Sequence, residues 1–286
     1  MIFLGIDGGG SSCKALAVSS TGEVVFEGRG GPTNWRSTPR EDFCANLWNA
    51  LEGCPEPDAI GACFAGVLGP ADQEAIWEIL GRKYDTVITV APDYEAAFRS
   101  CPPGTSACII AGTGSVVVSE RGVAGGGGAL LGDVGSAFDL VRLGLQRLVY
   151  EGRKAEDHGV HLAQILRERF GTLDRAELTF AILNTQSPQA ELASMIRAFG
   201  CDVAENNALQ DIVMQRFKTL LDTACRIAPP AHIGLCGGVW DAHPIFLELM
   251  HRLTKDLTGP AGRVTIGKPD VPPVMGAVRL AQQFMQ

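Results

Sequence analysis

The sequence predicts an α/β protein made of two halves, each a mixed β-sheet flanked by helices. Three observations carry this expectation. Short apolar runs bounded by glycines or turn residues recur at Ile2–Ile6, Ala15–Val18, Val24–Phe26, Ala59–Phe64 and Thr86–Val90, which is the mark of strands. The later runs alternate with segments of helical apolar spacing, and strands linked through helices run parallel in a covered sheet. After the linker signal Pro102-Pro103-Gly104, the opening pattern of strand, small-residue turn and strand returns at Ala107–Ala111, Gly112–Ser115 and Val116–Val118. That return points to a duplicated architecture.

Taken in order, the first three strands are joined by tight turns, Thr21-Gly22 among them, and read as antiparallel. Phe43, Leu47 and Leu51 place a helix over about 40–53, Ala71–Leu80 forms a second, and Asp93–Arg99 a short third. Residues about 135–228 are mostly helical, with apolar spacing in Leu140–Leu148, Leu162–Leu166 and Leu209–Leu221. Asp174 and Ser187-Pro188 look like helix starts. His232–Cys236 is a late strand, followed by Gly237-Gly238 and a helix through Leu253. Val264–Ile266 is the last strand and Pro273–Phe284 the closing helix. The domain expectation is 1–104 and 105–286. The second carries a helical insertion, and the closing helix is a candidate to pack back on the first.

Composition narrows the function classes. The 286 residues are 46% hydrophobic and 20% charged, the profile of a globular chain with a sizeable core. A net charge of −8 offers no broad surface for nucleic-acid phosphates. The N-terminus lacks a signal-peptide pattern and no apolar run approaches membrane-spanning length, so a cytoplasmic protein without a membrane partner is expected. The 9 Cys include no Cys-x-x-Cys pair, which favours free buried thiols over a disulfide framework or a zinc site. His158, His161, His232, His243 and His251 form no metal pattern.

Five loops can carry chemistry. Asp7-Gly8-Gly9-Gly10-Ser11-Ser12 lies between two strands. Glycines let backbone N–H groups converge on an anion, the serines add hydroxyl donors, and Asp7 can hold a magnesium ion through water. An ordinary glycine-rich hairpin is the alternative. Gly112-Thr113-Gly114-Ser115 makes a second such cradle, and two loops suit a polyphosphate better than one. Asp93 sits where a helix begins. It reads either as an N-cap or as a general base for an attacking hydroxyl, and both roles can hold together. Asp133, between glycines in Gly125–Ser136, could accept hydrogen bonds from sugar hydroxyls, or cap a loop. Gly237-Gly238 offers bare backbone to a nucleotide, or a tight strand–helix turn. Asn34, in Pro32-Thr33-Asn34-Trp35, can donate to and accept from a sugar, although a surface turn is the default.

With these loops in this order, the chain resembles the BadF/BadG/BcrA/BcrD ATPase family, and within it the N-acetylglucosamine kinase and glucosamine kinase branch. The resemblance runs over essentially the whole chain. It implies two RNase H-like domains of the actin/hexokinase-like superfamily around a central cleft, a homodimer, and ATP with Mg²⁺. It further implies phosphate binding by Gly9, Gly10, Ser11, Ser12, Thr113 and Gly114, and an adenosine loop at Gly237 and Gly238. Sugar contacts are implied at Asn34, Ser115, Gly128 and Asp133, with Asp93 as the base and Asp7 on magnesium. Three positions depart from the family pattern. Gly126-Gly127-Gly128 replaces Gly-Trp-Gly, Val134 replaces an acid, and Val116 replaces Asn. All three alter the sugar side and leave the phosphate side intact. The expected activity is ATP-dependent phosphorylation of an amino sugar. The alternatives are an ATPase activator of a 2-hydroxyacyl-CoA dehydratase, which would need closely placed Cys ligands, and a non-catalytic sugar sensor.

Overall fold

Ile2–Gly8 (β1) and Cys13–Ser19 (β2) pair antiparallel, and Val24–Gly30 (β3) continues the meander. Ala59–Phe64 (β4) then joins β1 in parallel and Val87–Pro92 (β5) joins β4, giving the sheet order β3-β2-β1-β4-β5. β4 is buried at every position, which is why it reads as one continuous apolar run. The edge strand β3 instead alternates and carries Glu27 and Arg29 outward, a common protection against edge pairing. Arg40–Ala50 (α1) and Pro70–Gly81 (α2) cover one face, where Phe43, Leu47 and Ile76 pack with Leu4, Ile6 and Phe64. Asp93–Arg99 (α3) follows β5 directly.

A second sheet repeats this plan. Thr105–Ala111 (β6), Ser115–Ser119 (β7) and Gly122–Gly125 (β8) run antiparallel, and a helical stretch follows. It comprises Gly128–Leu131 (α4), Ala137–Glu151 (α5), Val160–Phe170 (α6), Arg175–Leu183 (α7), Pro188–Ala193 (α8), Ile196–Glu205 (α9) and Asn207–Ile227 (α10). Side chains cap three of these: Asp174 accepts from Ala176 and Glu177, Ser187 from Ala190, and Asn206 from Ala208 and Leu209. His232–Cys236 (β9) then pairs parallel to β6. Val239–Ala242 (α11), Pro244–Thr254 (α12) and the hairpin Thr258–Gly259 (β10) with Gly262–Arg263 (β11) lead to Thr265–Gly267 (β12), parallel to β9. The order β12-β9-β6-β7-β8 is again three antiparallel strands, with two parallel ones continuing the sheet from the first of them. Its core gathers Ile109, Val117, Leu140, Phe217, Trp240 and Phe246, with the Phe217 and Trp240 rings 4.9 Å apart.

The computed structural model describes residues 1–151, 159–260 and 262–283. They form two units, Met1–Pro103 with Pro269–Gln286, and Gly104–Lys268. The first unit therefore includes Pro273–Gln283 (α13), which covers the sheet face opposite α1 and α2, with Val274, Val278 and Ala281 against Phe3, Leu16 and Val18. Backbone meets backbone there. A Cβ at Gly61 would lie 2.2 Å from the Ala277 carbonyl oxygen, and one at Gly5 2.5 Å from that of Val274. The expected α/β class with mixed, helix-covered sheets is what the structure contains. It departs from the sequence reading in detail. The helix expected through Leu253 breaks at His243, whose backbone is extended before Pro244, because proline disfavours a helical predecessor. Strand β8 and the β10–β11 hairpin were not foreseen. His158 and Phe284 lie outside the described residues. Among the described residues, no helix is long and apolar enough to cross a membrane.

Candidate active site

The carboxyl ends of β1, β4 and β5 share one edge of the first sheet, where Gly8, Phe64 and Pro92 are register partners. Ligand sites of α/β sheets form outside such ends. The Gly9–Ser12 loop leaves β1 at this edge. Gly9 donates to the Ser12 carbonyl at 2.9 Å and its own carbonyl accepts from Thr33 at 2.9 Å. Gly9 thus shapes the turn, while Gly10 and Ser11 stay exposed. A Cβ at Gly10 would meet nothing within 4 Å, so an anion can approach the bare backbone.

Asp7 and Asp93 stand at the same edge. Burial, and then the negative charge of Asp93, push Asp7 up to about 6, against the pull of Lys14. Asp93 keeps an exposed face and opens α3, with Pro92 at the cap position. Desolvation raises its pKa, opposed by the backbone N–H groups of Tyr94 and of Asp93 itself. Asp93 is thus the first helical residue and not the N-cap, with no side-chain cap bond at this helix start, and the residue is exposed. A desolvated carboxylate beside a second one suits a divalent cation, which relieves the repulsion.

The shift at Asp7 has a measurable consequence. A carboxyl whose folded pKa exceeds its unfolded value destabilises the fold once ionised. Asp7→Asn should therefore raise stability above pH 6 by on the order of 1–3 kcal/mol. The gain should shrink as pH falls from 6 toward 4, in thermal unfolding of both proteins without added metal. A pH-independent difference would remove the electrostatic account.

Asn34 follows Thr33, and Trp35 donates its N–H to the Ala65 carbonyl, which stitches this turn to the sheet edge. The Asn34 Oδ1 accepts from Arg36 at 2.9 Å and Ser37 at 3.1 Å. Its acceptor side is engaged, and only its NH₂ remains to offer. Trp35 is no surface aromatic. It is 6% exposed, donates to Asp72 at 2.9 Å, and lies 3.1 Å beneath the Arg40 guanidinium.

In the second unit, the Gly112 N–H closes on the Gly114 carbonyl at 2.8 Å, with Thr113 exposed at the tip. Asp133 has φ 59°, the one left-handed non-glycine among the described residues, and strain of this kind gathers at functional sites. Its Oδ1 accepts from the Ser115 N–H at 2.9 Å, while the Ser115 hydroxyl donates to the Val134 carbonyl at 2.8 Å. Ser115 is buried with both polar groups engaged, so it anchors the Asp133 loop and presents no free hydroxyl. Gly128 is exposed at φ 70°, and its loop is tied in through Gly126, which donates to the Ser115 carbonyl at 3.0 Å. Gly237 and Gly238 are exposed after β9. A Cβ at Gly237, φ 98°, would lie 2.5 Å from the Ala111 carbonyl, which places this turn against the end of β6. Thr113, Gly114, Asp133 and Gly237 are thus brought together.

One supporting group escaped the sequence reading. Asp139, 6% exposed, accepts from the Gly135 N–H at 3.0 Å and from Arg142 at 2.9 Å, and pairs with Arg216 at 3.4 Å. It fixes the end of the Asp133 loop. Arg216 lies 77 residues away in sequence, so no local pattern could reveal the pairing. None of the nine cysteines is in a disulfide, and Cys108 and Cys236 lie 3.0 Å apart through their sulfurs, a proximity that spacing along the chain did not signal.

No curated protein matches the chain in sequence. Solved structures do match its fold. A provisionally named N-acetylglucosamine kinase from Chromobacterium violaceum superposes with a TM-score of 0.69 at 20% identity, over 98% of this chain and 99% of that one. Another from Porphyromonas gingivalis gives 0.70 at 19%, over 99% and 100%. A ROK family glucokinase from Streptomyces griseus, solved with glucose and AMPPNP, gives 0.56 at 16%, over 99% and 100%. Such likenesses establish the actin/hexokinase-like ATPase fold. Kinship comes from the sequence itself: residues 4–281 match the family model, so the protein belongs to the BadF/BadG/BcrA/BcrD ATPase family.

Proposed function

We propose that this chain is an ATP-dependent sugar kinase acting on an amino sugar such as N-acetylglucosamine or glucosamine. The observation that carries the reading is the pair Asp7 and Asp93, both raised in pKa, at the sheet edge that also holds the bare Gly9–Ser12 loop. Asp93 is the base that takes the proton of the attacking hydroxyl, a task favoured by a carboxyl shifted toward neutrality. Gly10, Ser11 and Ser12 receive phosphate, with Gly9 setting their turn. Thr113 and Gly114 receive phosphate from the second unit, and Gly237 with Gly238 takes the adenosine. Asn34 donates to the sugar and Asp133 accepts from it, while Ser115 and Gly128 hold and shape the Asp133 loop. Asp7 orients magnesium through water, and the ion when bound spreads the charge of the transferred phosphoryl group.

Family membership supports ATP use, and the fold neighbours named as N-acetylglucosamine kinases support the substrate class. A homodimer and a cytoplasmic setting belong to the same reading. The test is a panel of hexoses, hexosamines and N-acetylated hexosamines with ATP and Mg²⁺, followed as sugar phosphate formed. Turnover on a hexosamine or its N-acetyl form supports the proposal. Binding without phosphate transfer on every sugar would replace the kinase by a sensor.

A further inference from the structure

We infer that the second unit carries a separate binding site for a small phosphate-bearing molecule, in the cavity between the end of α12 and the β11–β12 segment. The cavity holds about 530 Å³, within the range of small-molecule sites. It lies at the start of β12, where Thr265 partners His232, the first residue of β9. The Gly237 turn follows the other end of β9, so the cavity and the candidate nucleotide loop occupy opposite edges of one sheet.

Its charge is what sets it apart. Arg252, Lys255 and Arg263 line it together with His251, and no carboxylate does so among the described residues. Neither Lys255 nor Arg263 nor His251 has a carboxylate partner among the described residues, and Arg252 donates only to the neutral Gln210 amide oxygen, at 3.0 Å. Asp256 adjoins Lys255 in sequence but does not line the cavity. In a chain of net charge −8, like charges converging without a counter-ion oppose folding. The C-terminal end of a helix attracts cations, and His251 and Arg252 occupy the last turn of α12. That accounts for these two and for Lys255 at the C-cap, and leaves Arg263, which arrives on β11. Guanidinium and ammonium groups converging on a concave space match phosphate oxygens. Val264 and Ile266, also in the lining, supply an apolar floor for a sugar or nucleoside body.

The probes are inorganic phosphate, glucose 6-phosphate and AMP, titrated into the full chain at low salt by calorimetry, without ATP or acceptor sugar. Saturable binding is expected. Arg263→Ala and Lys255→Ala should each weaken it about tenfold, and added salt should weaken it further. Both side chains are exposed, so the variants should keep the wild-type Tm. Both variants should show this weakened probe binding and still phosphorylate the acceptor sugar at the wild-type rate, since neither residue belongs to the proposed kinase site, and that combination separates this cavity from the kinase reading. Tighter binding of glucose 6-phosphate would identify a sugar phosphate as the ligand, and tighter binding of AMP a nucleotide. Absence of saturable binding to wild type, or equal binding by wild type and both variants, overturns the inference.

Discussion

Replacing Asp93 with asparagine should lower sugar phosphorylation by about a hundred- to ten-thousand-fold, the usual cost of losing a general base. The substitution keeps the size of the side chain and its ability to accept from the Tyr94 N–H, so the start of α3 should survive. The lost property is basicity. An amide cannot take the proton of an attacking hydroxyl at neutral pH. The fall should therefore appear in kcat, with the KM for the sugar and the Tm close to wild type. Steady-state kinetics of both proteins over pH 5–8 checks this. In wild type, kcat should fall at acid pH as Asp93 becomes protonated, and the residual activity of the variant should lack that limb. A variant that turns over at the wild-type rate would remove Asp93 from the chemistry.

The second large effect lies under α13. Gly61→Val should destabilise the first unit by about 3 kcal/mol or more, the upper range of overpacking in a closed core. The Cβ alone would meet the Ala277 carbonyl at 2.2 Å and the Ala281 N–H nitrogen at 2.8 Å. These are backbone atoms of a helix, which cannot rotate aside as a side chain can. The helix would have to lift from the sheet and expose Val278 and Ala281. A fall in Tm of roughly 6–12 °C is expected at this chain length. Gly81→Ala is the control. It sits in α2, and its Cβ would meet nothing within 4 Å, so it should be neutral or slightly stabilising. Equal effects from the two substitutions would show that the contact at Gly61 yields.

How much the residues reveal in advance depends on whether the cause is local. Strands β1 and β4 are readable because burial on both faces requires an unbroken apolar run. The Gly9–Ser12 and Gly112–Ser115 loops are readable because only glycine leaves backbone amides bare. Strand β8 is not, since Gly122-Val123-Ala124-Gly125 becomes a strand only by pairing with β7. The break at His243 had a signal in Pro244, outweighed by the apolar spacing on either side. At the candidate site, Asp7 and Asp93 show themselves as carboxylates at strand ends. The inward turn of Ser115 and the burial of Trp35 do not, because each depends on a partner far along the chain: Asp133 for one, Asp72 for the other.

Membership of α13 in the first unit has a consequence for synthesis. Residues 104–268 form an uninterrupted stretch, so that portion can complete its contacts while translation continues. The face of the first sheet at Gly5 and Gly61 must wait until residues 273–283 leave the ribosome. Until then Phe3, Leu16 and Val18 remain uncovered, and a nascent chain stalled or truncated before residue 273 should be a target for chaperones and prone to aggregate.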